Sequence, residues 1–108
     1  MMLRSFSNRD QILLMRQLAS LLTAGLALLD ALHLMLECCP KNWRSLLNAI
    51  ILNLNQGESL SVSLSKHRDR FNPICINLIA IGEKTGLLVQ SLFLISKQLE
   101  AQESLNRQ

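Results

Sequence analysis

The sequence predicts an all-α protein, a compact bundle of six helices joined by short glycine-terminated turns. Three observations predict it. Gly25, Gly57 and Gly86 each close an apolar helical run, and within three residues each is followed by leucines four apart: Leu28/Leu32, Leu60/Leu64 and Leu88/Leu92. Glycine leaves a helix at low cost because its left-handed conformation meets no Cβ clash, and leucines four apart share one helix face. The composition agrees. The chain holds no tyrosine, one tryptophan and three phenylalanines, so strand-favouring aromatics are scarce while leucine, a good helix former, dominates. Finally, 49% of the 108 residues are apolar, enough to build one core in a chain of one-domain length.

The first helix starts near Ser7 or Asn8, where Ser7 with Asp10 or Asn8 with Gln11 resembles a capping box. Met15, Leu18, Ala19 and Leu22 form its apolar stripe, and Gly25 ends it. The second runs from about Leu26 to Cys38, with Leu28, Leu32, Met35 and Leu36 on one side and Asp30, His33 and Glu37 opposite. Pro40 stops it, because the residue before a proline resists the helical region. The third begins near Asn42 and buries Trp43, Leu46, Leu47, Ile50, Ile51 and Leu54 before Gly57. Ser59 caps a short fourth helix from Leu60 to about Lys66. The serines at 61, 63 and 65 also permit a strand, but Leu60/Leu64 and the helical neighbours favour the helix.

A basic loop, KHRDR, covers residues 66–70. Asn72 caps the fifth helix and Pro73 opens it, a favoured place for proline. From Ile74 to Ile81 only Asn77 is polar, and a helix apolar nearly all round is expected to be buried. Residues 74–81 should therefore form a dry central pillar that the other helices wrap. Residues 83–86, EKTG, read as a turn, and the sixth helix runs from about Leu88 on the stripe Leu88, Leu92, Ile95, Leu99. The tail from Ala101 is polar and should project beyond the fold.

Chemistry-bearing patterns are sparse. The three cysteines, two of them adjacent, make neither a disulfide framework nor a CxxC pair, and read as thiols in a reducing compartment. Asp30, His33 and Glu37 share one helix face but read as a solvated face, since no second element supplies ligands. His67, like Lys66, suits a helix C-terminus. The chain has no nucleophile elbow and no glycine-rich phosphate cradle, so no catalytic residue, cofactor or small-molecule substrate is expected. Glu83 is the carboxylate to watch. The preferred reading is an acceptor of hydrogen bonds that fixes a turn, and a cation ligand at an interface is the weaker one. Charged residues are only 18%, below the roughly 25% usual for soluble domains, which suits a protein that hides surface against partners. The net charge of +3 is mild; it permits binding to anionic lipid or nucleic acid but argues for neither, and no nucleic-acid partner is expected. The alternative class is a small helical nucleic-acid-binding regulator, which would need a basic helix face. No early apolar segment marks a leader, and the longest apolar stretch, Leu26 to Leu36, is broken by Asp30 and His33 and is too short to span a membrane. The chain is expected to be soluble as it stands.

RQLASLLTAGLALLDAL at 16–32, NQGESLSVSL at 55–64 and FNPICINLIAIGEKTGLL at 71–88 together resemble the F-type domain of bacterial secretion and pilus platforms, the type II secretion F and PilC-like proteins. The resemblance covers about residues 8–103, and its most telling stretch is GE-x-TG-x-L from Gly82. It departs at Ala27–Leu28, where the pattern often has proline and leucine, and Cys38–Cys39 lies outside it. It implies a six-helix domain, 1–108 with a core of about 8–103, on the cytoplasmic face of the bacterial inner membrane. The parent would be a polytopic membrane protein with two such domains, of which this is the first. It further implies no enzymatic activity and a role coupling an assembly ATPase to the pilin filament. Low charge and surplus leucine add a homodimer, with the first and sixth helices as the expected contact. Lys66, Arg68 and Arg70 are the expected partner-binding residues, facing an acidic patch on the ATPase or lipid headgroups.

Overall fold

The computed structural model describes residues 6–106, so the first five residues of the polar start and the last two of the tail lie outside it. Six helices follow one another: α1 (Asn8–Thr23), α2 (Leu28–Cys38), α3 (Lys41–Asn55), α4 (Leu60–Ser65), α5 (Pro73–Thr85) and α6 (Leu88–Asn106). No strand occurs among the described residues, and the serine-alternating segment is helical.

Local chemistry sets the ends. Ser7 caps α1, with its side chain accepting from the Asp10 N–H while the Asp10 carboxylate accepts from the Ser7 N–H at 2.9 Å, so the Ser7/Asp10 box is the one formed. Asn72 Oδ1 accepts from the Ile74 N–H at 2.9 Å, and Pro73 opens α5. α2 starts two residues later than expected, because the Leu26 N–H is still donating back to the Leu21 carbonyl of the α1 terminus. α5 continues through Glu83 to Thr85. The expected turn at 83–86 contracts to Gly86, whose φ of 76° needs no Cβ relief, and whose N–H donates to the Gly82 carbonyl.

Each helix packs against its chain neighbours, and α6 returns to pack against α1, so the six form a closed ring around a shared interior. Met15, Leu32, Ile50, Leu64 and Ile79, from five different helices, meet there around a void of about 10 Å³. The expected central pillar is absent. Within 74–81 only Cys75 and Ile79 are buried, while Ile74, Asn77 and Ile81 are exposed. The reason is the ring itself. α5 packs along α4 and α6, and among the described residues no helix lies outside it, so its outer face stays wet however apolar its sequence. The deepest side chains are instead shared by all six helices, with Met15, Leu32, Trp43, Ile50, Leu64, Ile79 and Ile95 each at most 2% exposed. Truncating one such leucine or isoleucine to alanine costs about 2–5 kcal/mol.

The ring closes through α6. Gly82 lets α5 and α6 approach so closely that a Cβ there would lie 2.5 Å from Ser91 Oγ and 3.0 Å from Leu88 Cα. At the other seam Arg16 pairs with Glu100, and Asn8 Nδ2 donates to Glu103 at 2.8 Å. The tail therefore does not leave the fold at Ala101, since Glu103 is still tied to α1.

Candidate interaction surface and its polar supports

α4 has only six residues, so most of its backbone N–H groups need partners from outside the helix. All four at its start are satisfied. Glu83 of α5 accepts from the Leu60 N–H at 2.8 Å on one oxygen and from the Ser61 N–H at 3.1 Å on the other. Ser59 Oγ accepts from Val62 at 3.2 Å, and the Ser59 carbonyl accepts from Ser63 at 3.0 Å. A carboxylate at a helix N-terminus is also favoured by the backbone dipoles. Glu83 thus joins α5 to α4 across more than twenty residues of chain. Both of its oxygens are engaged there, and no cluster of three or more metal-ligating side chains occurs among the described residues. Ser63, fully buried, donates to Asn53 Oδ1 at 3.0 Å and ties α4 to α3.

The basic loop hangs between α4 and α5. Its three expected contact residues are exposed but differently placed. Lys66 Nζ donates to Glu58 at 2.7 Å. Arg68 Nε donates to the Ser65 carbonyl at 3.2 Å, and its side chain borders a cleft with Phe71, Pro73, Ile76 and Asn77. Arg70 lies 3.9 Å from Asp69, a pair too open to water to fix it. The three therefore do not form one uniform basic patch. Burial, with Arg70 next in effect, pulls the His67 imidazole below its ordinary 6.5, and its Nε2 is buried with no hydrogen-bond partner. Asp30, His33 and Glu37 are all exposed along α2.

Two polar residues that the sequence offered only as caps of the first helix also hold other helices from inside the ring. Asp10, 1% exposed, accepts from Trp43 Nε1 at 3.0 Å and from Asn42 Nδ2 at 3.4 Å, besides capping α1. Gln11 Oε1 accepts from the Asn72 N–H at 2.9 Å and from the Cys75 thiol at 3.6 Å. Adjacent residues of α1 so hold α3 on one side and the start of α5 on the other. A buried tryptophan needs an acceptor for its N–H, which was the available signal for this second role of Asp10. Gln11 offered none. Burial pushes the Cys75 thiol up to about 11 and also raises Cys39, while Cys38 is exposed.

Residues 14–108 match the family model described as type II secretion system (T2SS), protein F. Among relatives, the "Protein transport protein HofC homolog" of Escherichia coli (strain K12) is 39% identical over 90 residues, which are 82% of this chain and 22% of the relative. The "Type II secretion system protein F" of Aeromonas hydrophila is 36% identical over 82% of this chain and 23% of its own length. The "Type IV pilus assembly protein PilC" of Pseudomonas aeruginosa is 33% identical over 89% of this chain and 26% of its own. The chain thus spans about a quarter of the length of the relatives it matches. With its six-helix fold and a match from Leu14 onward, the chain belongs to the type II secretion system protein F family.

Proposed function

We propose that this domain works by contact and not by catalysis. It is a docking block, with a core of about residues 8–103, of a platform protein for type II secretion or type IV pilus assembly. It sits on the cytoplasmic face of the bacterial inner membrane and links the assembly ATPase to the pilin filament. The observation that carries this reading is the family match over residues 14–108, joined by relatives named for secretion and pilus assembly. The exposed loop at 66–70 supplies Lys66, Arg68 and Arg70 for an acidic surface of the ATPase. Among the described residues, no helix is long and apolar enough to cross a membrane, which suits a segment that stands outside the bilayer. A nucleic-acid reading lacks a helix with a basic face, and two of the loop cations stand beside carboxylates.

A homodimer through α1 and α6 is supported by Leu13 and Phe93, both exposed on the two helices that close the ring. Sedimentation of the chain should show a dimer that Leu13→Asp with Phe93→Asp dissociates, and a monomer at high concentration contradicts it. The reading as a whole is tested in cells. Charge reversal of Lys66, Arg68 and Arg70 in the parent protein should abolish secretion or pilus assembly at unchanged protein level. Full assembly in that variant overturns the role of the loop.

A further inference from the structure

The outer face of the α5–α6 pair carries apolar side chains that no other helix covers among the described residues. On α5, Ile74 and Ile81 are exposed at helical spacing, off the side of the buried Cys75 and Ile79, while Leu78 between them is half-buried against the core. Gly82 turns its bare side to Ser91 and so brings α6 close, where Leu87, in the turn just before α6, and Leu94 on α6 are also exposed. Ile81 is 55% exposed and Leu87 49%. Exposed aliphatic side chains in such a row mark a contact surface.

Charge decides what covers it. Lys84 flanks the band on α5 and Lys97 on α6, both exposed, and Arg68 stands over Asn77 at the α5 edge. No carboxylate lies on this face, and all eight of the chain are accounted for elsewhere. Asp10 is buried, Glu58 holds Lys66, Glu83 caps α4, Glu100 holds Arg16 and Glu103 holds Asn8. Asp30 and Glu37 lie on α2, across the ring, and Asp69 lies in the loop beside Arg70. A second copy of this face would add two more lysines and no acid to pair them. An anionic bilayer surface offers what the face lacks: apolar depth for an aliphatic band and negative headgroups for cations at its margins. The geometry points to this occupant. The α5–α6 face lies on an anionic membrane surface, with Ile74, Ile81, Leu87 and Leu94 at the acyl boundary and Lys84 and Lys97 at the headgroups. This orients the domain, and it goes beyond docking through the loop.

The test is flotation of the purified chain with phosphatidylcholine vesicles, with and without phosphatidylglycerol. Phosphatidylglycerol vesicles should carry the chain up, neutral vesicles should not, and added salt should weaken the binding. Lys84→Glu with Lys97→Glu should weaken it about tenfold or more. Ile81→Ser with Leu87→Ser, both at exposed positions, should abolish it with helical circular dichroism unchanged. Failure to float with phosphatidylglycerol, equal flotation with neutral vesicles, or unchanged binding by either double variant overturns the proposal. So does finding that the serine variant splits an oligomer in place of releasing lipid, since the face would then be a contact between proteins. Lipid is the only partner in the assay, so its failure leaves docking through the loop standing, and loss of docking leaves this result standing.

Discussion

Glu83 carries two backbone N–H groups of α4 on one carboxylate, and removing it leaves both without a protein partner. Glu83→Ala should lower the stability by about 1–3 kcal/mol, read from the urea midpoint, and Glu83→Gln by less because one acceptor remains. The expectation that Glu83 fixes a turn had the chemistry of a hydrogen-bond acceptor, but its target could not be read. Residues 60 and 61 are distant in sequence, and only the ring brings α4 and α5 together. The cysteines divide by burial. Cys38 should react quickly with a thiol reagent, while Cys75, its pKa raised to about 11 by burial, should stay unmodified until denaturant opens the fold. His67 gives a pH signature. Its folded pKa lies below the ordinary 6.5, so the unfolded chain binds its proton more readily. Stability is then fully present above the ordinary value and declines as pH falls through it toward the folded pKa. Between about pH 7.5 and about pH 5 the urea midpoint should fall more in the native chain than in His67→Gln.

At the scale of the element, caps and stops were legible because they are local. Ser7, Ser59 and Asn72 sit where a side-chain oxygen meets the next N–H groups, and Gly86 ends α5 where only glycine is at ease. Burial was not legible for α5. The run at 74–81 records how apolar the residues are, whereas their exposure follows from how many helices surround them. In a ring of six, no helix is surrounded, and both the fold and the family stand without a pillar. Gly82 tests the seam between α5 and α6. Gly82→Ala would push a methyl group onto Ser91 and the backbone of Leu88, with an expected loss of about 1–3 kcal/mol in thermal or chemical unfolding. The Ser91 hydroxyl can turn aside, but Ser91 Cβ at 2.9 Å and Leu88 Cα at 3.0 Å cannot move without shifting α6, so Gly82→Ala with Ser91→Ala should recover only part of the loss.

At the scale of the molecule, an all-α bundle was legible from leucine spacing and glycine stops, and the three sequence blocks carried the kinship. The closure of α6 on α1 was not, because Arg16 with Glu100 and Asn8 with Glu103 are pairs that only the finished ring brings into reach. A ring with a filled interior has no room for a ligand at its centre, so what it does it must do on its outside. The most direct measurement is a binding titration of the purified chain against the purified assembly ATPase, in the wild type and with Lys66, Arg68 and Arg70 reversed to glutamate. Saturable binding that weakens with salt and falls at least about tenfold in the reversed chain is the expected result. Absence of binding, or equal affinity in the two chains, would contradict a docking block that meets its motor through this loop.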